Sequence, residues 1–320
     1  MKLILLTAII WTALFEFAGA QTTVVGYSSV TSVFLPFWIG KEAGLYKKEG
    51  LDVQLVYIPS STTMAQSMFA REVAISTANS SSVVSSGLQG GDLVLMGAVI
   101  NTTAFYIIAR PDIASVQDLR GKRVGVTRLG SSSDFAVREY LQKNKLQPGR
   151  DVTAGMPELA AALSSGAISA APLSSPMSYV AEQRGNRVLA NLANEGIYFV
   201  IAGLTTSRRY LREHRSDAKA FLRAFGHATH AMFQQRELAK TILAKYTKVE
   251  DPGMLAGSLK YAHDFTEKIP LVKREGVQVV LEQEASKNPK VKDFSAEQFY
   301  DNSLVQELVN EGFYKSLWGK

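Results

Sequence analysis

The sequence predicts an α/β protein of two lobes with a helical C-terminal tail, and three observations lead there. After Gln21, short apolar runs alternate with amphipathic segments, the pattern of strands alternating with helices. That rhythm starts afresh near Arg123, with no Pro- or Gly-rich linker between the two runs. From Ser207 onward nearly all of the pattern is helical, with Ala218, Phe221, Leu222, Phe225 and Met232 recurring on one face. A length of 320 residues suits about two globular domains.

The first run opens with a strand over Thr22–Tyr27. Leu35–Lys48 reads as a helix, because Pro36 suits its first turn and Gly50 lies just past its end. Leu51–Ile58 and Val73–Thr77 follow as strands, with helices over Thr62–Ala70 and Ser80–Leu88. Leu93–Ile100 and Thr103–Arg110 read as a pair of strands. The second run has strands at Arg123–Thr127 and Ile168–Ala171, and helices at Ser133–Asn144, Pro157–Ser165 and Ser175–Gln183. Val188–Asn191 and Tyr198–Thr205 close it as strands. Lobes joined by crossing strands place residues 21–108 and 205–320 in the first lobe and 109–204 in the second. The tail holds more helix than one sheet needs, so it is expected to return and pack on the first lobe.

Residues 1–20 read as an address. Met1-Lys2 is a short positive start, Leu3 to Phe17 is apolar, and Ala18-Gly19-Ala20 offers small residues for cleavage after Ala20. Glu16 interrupts the apolar stretch, which is short of the roughly 20 residues of a spanning helix. The expected mature chain is exported. With no Cys to carry a lipid, its expected home is the periplasm.

Composition excludes several classes. A hydrophobic share of 46% with 20% charged residues argues against disorder. The absence of Cys removes disulfide scaffolds, thiolate metal sites and cysteine nucleophiles. Thirty-five basic and 29 acidic residues give +6, but no basic run exceeds two residues, so a nucleic-acid face is not expected. His227-x-x-His230 lacks a nearby carboxylate and reads as packing or surface, not as a metal site. Phosphate-cradling, zinc-protease and nucleophile-elbow motifs are missing.

Small polar residues gather where strands end. Ser28, Ser29, Thr31 and Ser32 follow the first strand, and Asn79 to Ser82 the third. Asn101 to Thr103 lie between the paired strands, Gly130 to Ser133 follow the first strand of the second run, and Ser174 and Ser175 follow another. In open α/β sheets ligands bind beyond the carboxyl ends of strands, where helix starts present free N–H groups. Each cluster alone reads as a helix cap. Their recurrence at one end of successive strands reads as a shared cleft for a small polar solute. Its charge stays open: Arg128 suits an anion, Asp134 opposes one at the same helix start, and Glu195 suits an amine.

Three stretches carry a family resemblance: FWIGKEAGLYKKEGLDV at 37–53, DLRGKRVGV at 118–126, and TSRRYL at 206–211 followed by AFLRA at 220–224. The chain resembles the periplasmic substrate-binding proteins of ABC importers for nitrate, sulfonates, taurine and thiamine-pyrimidine precursors, the SsuA/THI5-like (NMT1-type) group. The resemblance implies a type II periplasmic-binding-protein fold with two crossovers and a cleft closing by hinge motion. It implies a monomer that delivers a small polar, preferably anionic, solute to an ABC permease, with no catalytic residue, cofactor or metal. By position, the first lobe would line the cleft with Ser29, Thr31, Phe34, Asn79, Ser80 and Asn101. The second would add Ser131, Ser132, Ser175, Glu195 and Tyr198, with Arg128 in the same loop as Ser131. The pyrimidine-synthase branch depends on a cysteine-rich motif, which this chain lacks. Two alternatives remain: a small-molecule enzyme on the same scaffold, using Glu195 or Asp134 as base, and the binding subunit of a membrane sensor.

Overall fold

The computed structural model describes residues 22–58, 61–127, 129, 132–147, 149 and 151–319; the expected signal segment over 1–20 lies outside them. The first run forms β1 (Thr23–Tyr27), α1 (Leu35–Glu42), α2 (Leu45–Lys48), β2 (Val53–Tyr57), α3 (Ser61–Phe69), β3 (Ile75–Ser76), α4 (Ser80–Leu88) and β4 (Leu93–Thr102). The second forms β5 (Tyr106–Ala109), β6 (Val124–Val126), α5 (Ser132–Lys143), β7 (Asp151–Thr153), α6 (Met156–Ser165), β8 (Ala170–Leu173), α7 (Met177–Gln183) and β9 (Arg187–Asn191). β10 (Tyr198–Ser207) leads into the tail: α8 (Arg208–Glu213), α9 (Arg215–Gln234), α10 (Arg236–Thr247), α11 (Pro252–Phe265), α12 (Glu275–Lys287), α13 (Ser303–Asn310) and α14 (Phe313–Trp318).

Among the described residues the strands make two mixed sheets, ordered β2-β1-β3-β10-β4 and β7-β6-β8-β5-β9. β1 runs parallel to β2 and β3, with Val25 opposite Ile75 and Tyr27 opposite Tyr57. β6 runs parallel to β7 and β8. The chain therefore changes sheet twice, between Thr102 and Tyr106 and between Asn191 and Tyr198. The two crossovers touch, since the Thr103 amide donates to the Ile197 carbonyl at 3.4 Å.

Three sequence expectations are corrected. Leu93–Ile100 and Thr103–Arg110 are not a pair: β4 belongs to the first sheet and β5 to the second. Likewise Tyr198–Thr205 closes the first sheet, as β10 paired with β4, and not the second. The helix expected over Leu35–Lys48 breaks at Ala43–Gly44. There Gly44 takes φ +64° in open space, so its conformation and not crowding favours glycine.

The tail returns onto the first sheet. Phe37, Trp38 and Tyr46 from α1 and α2 interlock with the predicted α9 stripe: Phe37 meets Phe225 edge-on at 5.2 Å and Tyr46 stacks on Phe221 at 5.5 Å. Trp38 stacks on Tyr246 of α10 at 4.7 Å. The sheet's other face holds Val83 and Val84 of α4 and Val277, Val280 and Leu281 of α12 in one buried cluster with Leu95. Ile108, Leu159, Leu163, Ile168 and Leu173 form a separate core around the second sheet.

The two neighbouring histidines pack as aromatic rings. His227 meets Phe313 edge-on and His230 meets Trp318, each at 5.0 Å. Burial holds the His227 pKa below its ordinary 6.5, so the unfolded chain takes up that proton more readily. Its contribution to stability is present above 6.5 and is lost as pH falls from there through the lowered folded value. Urea unfolding of the parent and His227→Gln at about pH 7.5 and about pH 5.5 checks this. The parent should lose more stability on acidification than the variant; equal losses would contradict the assignment.

Candidate functional site

Parallel pairing puts the carboxyl ends of β1 and β3 at one edge of the first sheet, and the loops that follow are tied together. The Ser28 amide donates to Thr77 Oγ1 at 3.1 Å, and the two hydroxyls lie 3.3 Å apart. Ser29 and Thr31 share a hydroxyl contact at 3.3 Å. A short 3-10 helix, Ser32–Phe34, then leads into α1. Phe34 itself turns into the core, against Tyr27 and Phe37.

The start of α4 is fixed from two sides. Asn79 is its cap, its Oδ1 accepting from the amide and the hydroxyl of Ser82, each at 2.9 Å. The Ala78 carbonyl accepts from the Gly203 amide at 3.2 Å and from Thr205 Oγ1 at 2.9 Å. A side chain at 203 would put its Cβ 2.5 Å from that carbonyl, so glycine permits the close approach of β10. Two hydroxyls in the loops after β1 and β3 are left over, as is Thr103 Oγ1 just past β4. Ser32 Oγ and Ser80 Oγ are buried and have no hydrogen-bond partner among the described residues. A buried hydroxyl without a partner costs about 1–3 kcal/mol, so two of them at one sheet edge call for an explanation.

The second sheet presents a matching edge after β6 and β8. Ser133 folds back on the strand end, its Oγ accepting from the Thr127 amide at 2.9 Å and meeting Thr127 Oγ1 at 2.7 Å. Ser132 is half-buried at the first position of α5. Arg128 and Ser131, both expected to line the cleft, lie outside the described residues. Ser175 is buried, and its hydroxyl donates to Ser258 of α11 at 2.7 Å.

Two more expected site residues have other partners, and a third lines a separate cavity. Asn101 is buried at the end of β4, and its whole amide is engaged. Its Nδ2 donates to Glu267 Oε1 at 3.1 Å and to the Leu271 carbonyl at 2.7 Å, while its Oδ1 accepts from the Lys273 amide at 2.9 Å. The Glu195 carboxylate lies 3.7 Å from Lys143 Nζ, which also donates to the Glu195 carbonyl. Tyr198 is 39% exposed, pairs with Thr102 at the carboxyl end of β4, and lines a cavity of about 560 Å³ between α5 and α12. Sequence reasoning had no signal for Ser258. It sits in a helical stretch with nothing to mark it as the partner of a residue 83 positions away.

A family model described as NMT1/THI5 like matches residues 31–239. The chain belongs to the NMT1/THI5-like family. The matched span runs from the first strand edge through both crossovers to α10. Solved structures agree on the fold of this NMT1/THI5-like chain. The periplasmic aliphatic sulphonate-binding protein SsuA of Escherichia coli matches with a TM-score of 0.71 at 19% identity, over 92% of this chain and 98% of that one. The periplasmic nitrate-binding protein NrtA of Synechocystis PCC 6803 matches with a TM-score of 0.70 at 13% identity, over 92% and 89%. A Candida albicans gene product, described as having the generic periplasmic binding protein fold, matches with a TM-score of 0.59 at 14% identity, over 90% and 94%. At such identities the likeness shows the fold, that of periplasmic binding proteins. No curated protein matches the chain. Among the described residues no helix is long and apolar enough to cross a membrane.

Proposed function

We propose that this protein is an exported solute receptor that captures a small anionic solute between its lobes and passes it to an ABC-type permease. The observation that carries the reading is the pair of buried, unpartnered hydroxyls, Ser32 and Ser80, at the carboxyl edge of parallel strands. A bound acceptor group would satisfy both, with the start of α4 adding free N–H groups to the same site. The two carboxylates that the sequence set against an anion are each next to a cation. Asp134 pairs with Arg138 at 2.8 Å, and Glu195 lies against Lys143. The likeness to sulphonate- and nitrate-binding proteins supports the same solute class. Residues 1–20, with the sequence pattern of a cleaved signal, support export.

Thermal unfolding of residues 21–320 against sulfonates, nitrate, carboxylates, phosphates, amines and pyrimidines tests the proposal. A solute at 100 times its Kd adds about 2.7 kcal/mol. The expected result is a rise with one anionic compound, without turnover. A rise only with amines would overturn the anionic assignment, and turnover of the hit would overturn the receptor. Ser80→Ala should weaken that hit by about 0.5–1.5 kcal/mol, roughly 2- to 13-fold. Its thermal midpoint without solute should be unchanged or higher, because an unpaired buried hydroxyl has gone. A lowered midpoint with unchanged affinity would return Ser80 to a purely structural role.

A further inference from the structure

We propose that α11 is a latch that holds the two lobes together beside the cleft, with Tyr179 of the second lobe seated on Gly253 and Gly257 of the tail. Its effect on solute affinity rests on the receptor reading above; the contact itself does not.

α11 packs against both the 3-10 helix Ser32–Phe34 at the edge of the first sheet and α7 of the second lobe. Its C-terminal half is anchored at the first crossover. The Tyr261 hydroxyl donates to the Ala104 carbonyl, and Tyr106 packs its ring against Tyr261 at 5.7 Å and Phe265 at 5.6 Å. The Tyr106 hydroxyl also donates to Asp264 at 3.3 Å. Gly253 lies two turns and more before Tyr261, about 12 Å further out along the helix axis.

The contacts there are made with the lobe that would move. The buried Ser175 and Ser258 hydroxyls meet at 2.7 Å. The Tyr179 ring lies along the helix. A Cβ on Gly253 would come within 2.3 Å of its hydroxyl oxygen, and one on Gly257 within 3.1 Å of Cδ2. Positions 253 and 257 are i and i+4, and so share one face. Neither glycine has a positive φ, so backbone conformation does not ask for glycine at either position. Glycine inside a helix is disfavoured relative to alanine. What it provides here is room for the ring. Lobes that rotate about the two crossovers leave the Tyr261 contact nearly in place and part the Tyr179 seat. The seat therefore favours the closed arrangement, and a solute that needs that arrangement binds more tightly for it.

The absence of Cys allows clean labelling. Lys122→Cys on the second lobe and Glu237→Cys on α10, both at exposed positions, take a spin label each, and distances are read without added solute. In that background, Gly253→Ala with Gly257→Ala is expected to add a second, differently spaced population, the closed-to-open ratio falling about tenfold. The thermal midpoint should not fall, since alanine favours the helix. Tyr179→Ala should broaden the distances in the same way, while Tyr179→Phe, which keeps the ring, should match the parent. Parent-like distances in both the double-alanine variant and Tyr179→Ala would overturn the latch. The two readings fail separately. Shifted distances in a protein that binds no solute keep the latch and remove the receptor, whereas unshifted distances in a protein that binds solute do the reverse.

Discussion

Phe225→Ala is expected to destabilise the protein by about 3–5 kcal/mol, the range for deleting a fully buried aromatic side chain. Phe225 sits where the tail meets the first lobe. It is 0% exposed, meets Phe37 of α1 edge-on at 5.2 Å, and lies 6.5 Å from Phe221 on its own helix. Removing it leaves a cavity between α1 and α9 that neighbouring rings cannot collapse into without leaving their own contacts. Against a net stability of about 5–15 kcal/mol, the loss is a large fraction. Urea unfolding measures it, with Phe294→Ala as control, since that ring is 37% exposed. Similar losses in the two variants, or a loss below about 1 kcal/mol at 225, would mean that the tail is not held by this stripe.

Asn101→Ala is expected to cost about 2–5 kcal/mol while changing the solute affinity of the folded protein little. The residue is 1% exposed and holds the segment between α11 and α12 by three hydrogen bonds, to Glu267, Leu271 and Lys273. Alanine would strand the Leu271 carbonyl and the Lys273 amide without their partner. The segment would then loosen just where β4 runs into the first crossover. The opposite outcome, affinity lost with stability kept, would make Asn101 a solute ligand, the role its position in the sequence suggests. Unfolding and titration on the same preparation separate the two.

Most of the fold is legible in the sequence because its signals are local. Pro36 in the first turn of α1, the short apolar run before Tyr27, and the apolar stripe through Phe221 and Phe225 each act over a few residues. Gly44 shows where local reading stops short. The pattern continues through 35–48, and only the left-handed backbone at 44 divides it. Strand pairing is illegible for a different reason. β4 and β5 are buried apolar strands, and nothing in such a run records which sheet it joins. Clusters of hydroxyls marked both strand edges, but the clusters do not separate a cap from a ligand contact. Asn79 is occupied by Ser82 and Asn101 by the tail, while the hydroxyl of Ser80, next to Asn79, is spare. That division depends on residues far away in sequence, Glu267 and Lys273 in one case and Ser258 in another.

Hydrogen exchange of the mature chain with and without its solute tests the central claim most directly, because amide protection reports each lobe separately. Capture between the lobes predicts slower exchange at two distant places together: residues 28–34 and 79–82 on the first lobe, and residues 173–176 on the second. Protection confined to one lobe would contradict it.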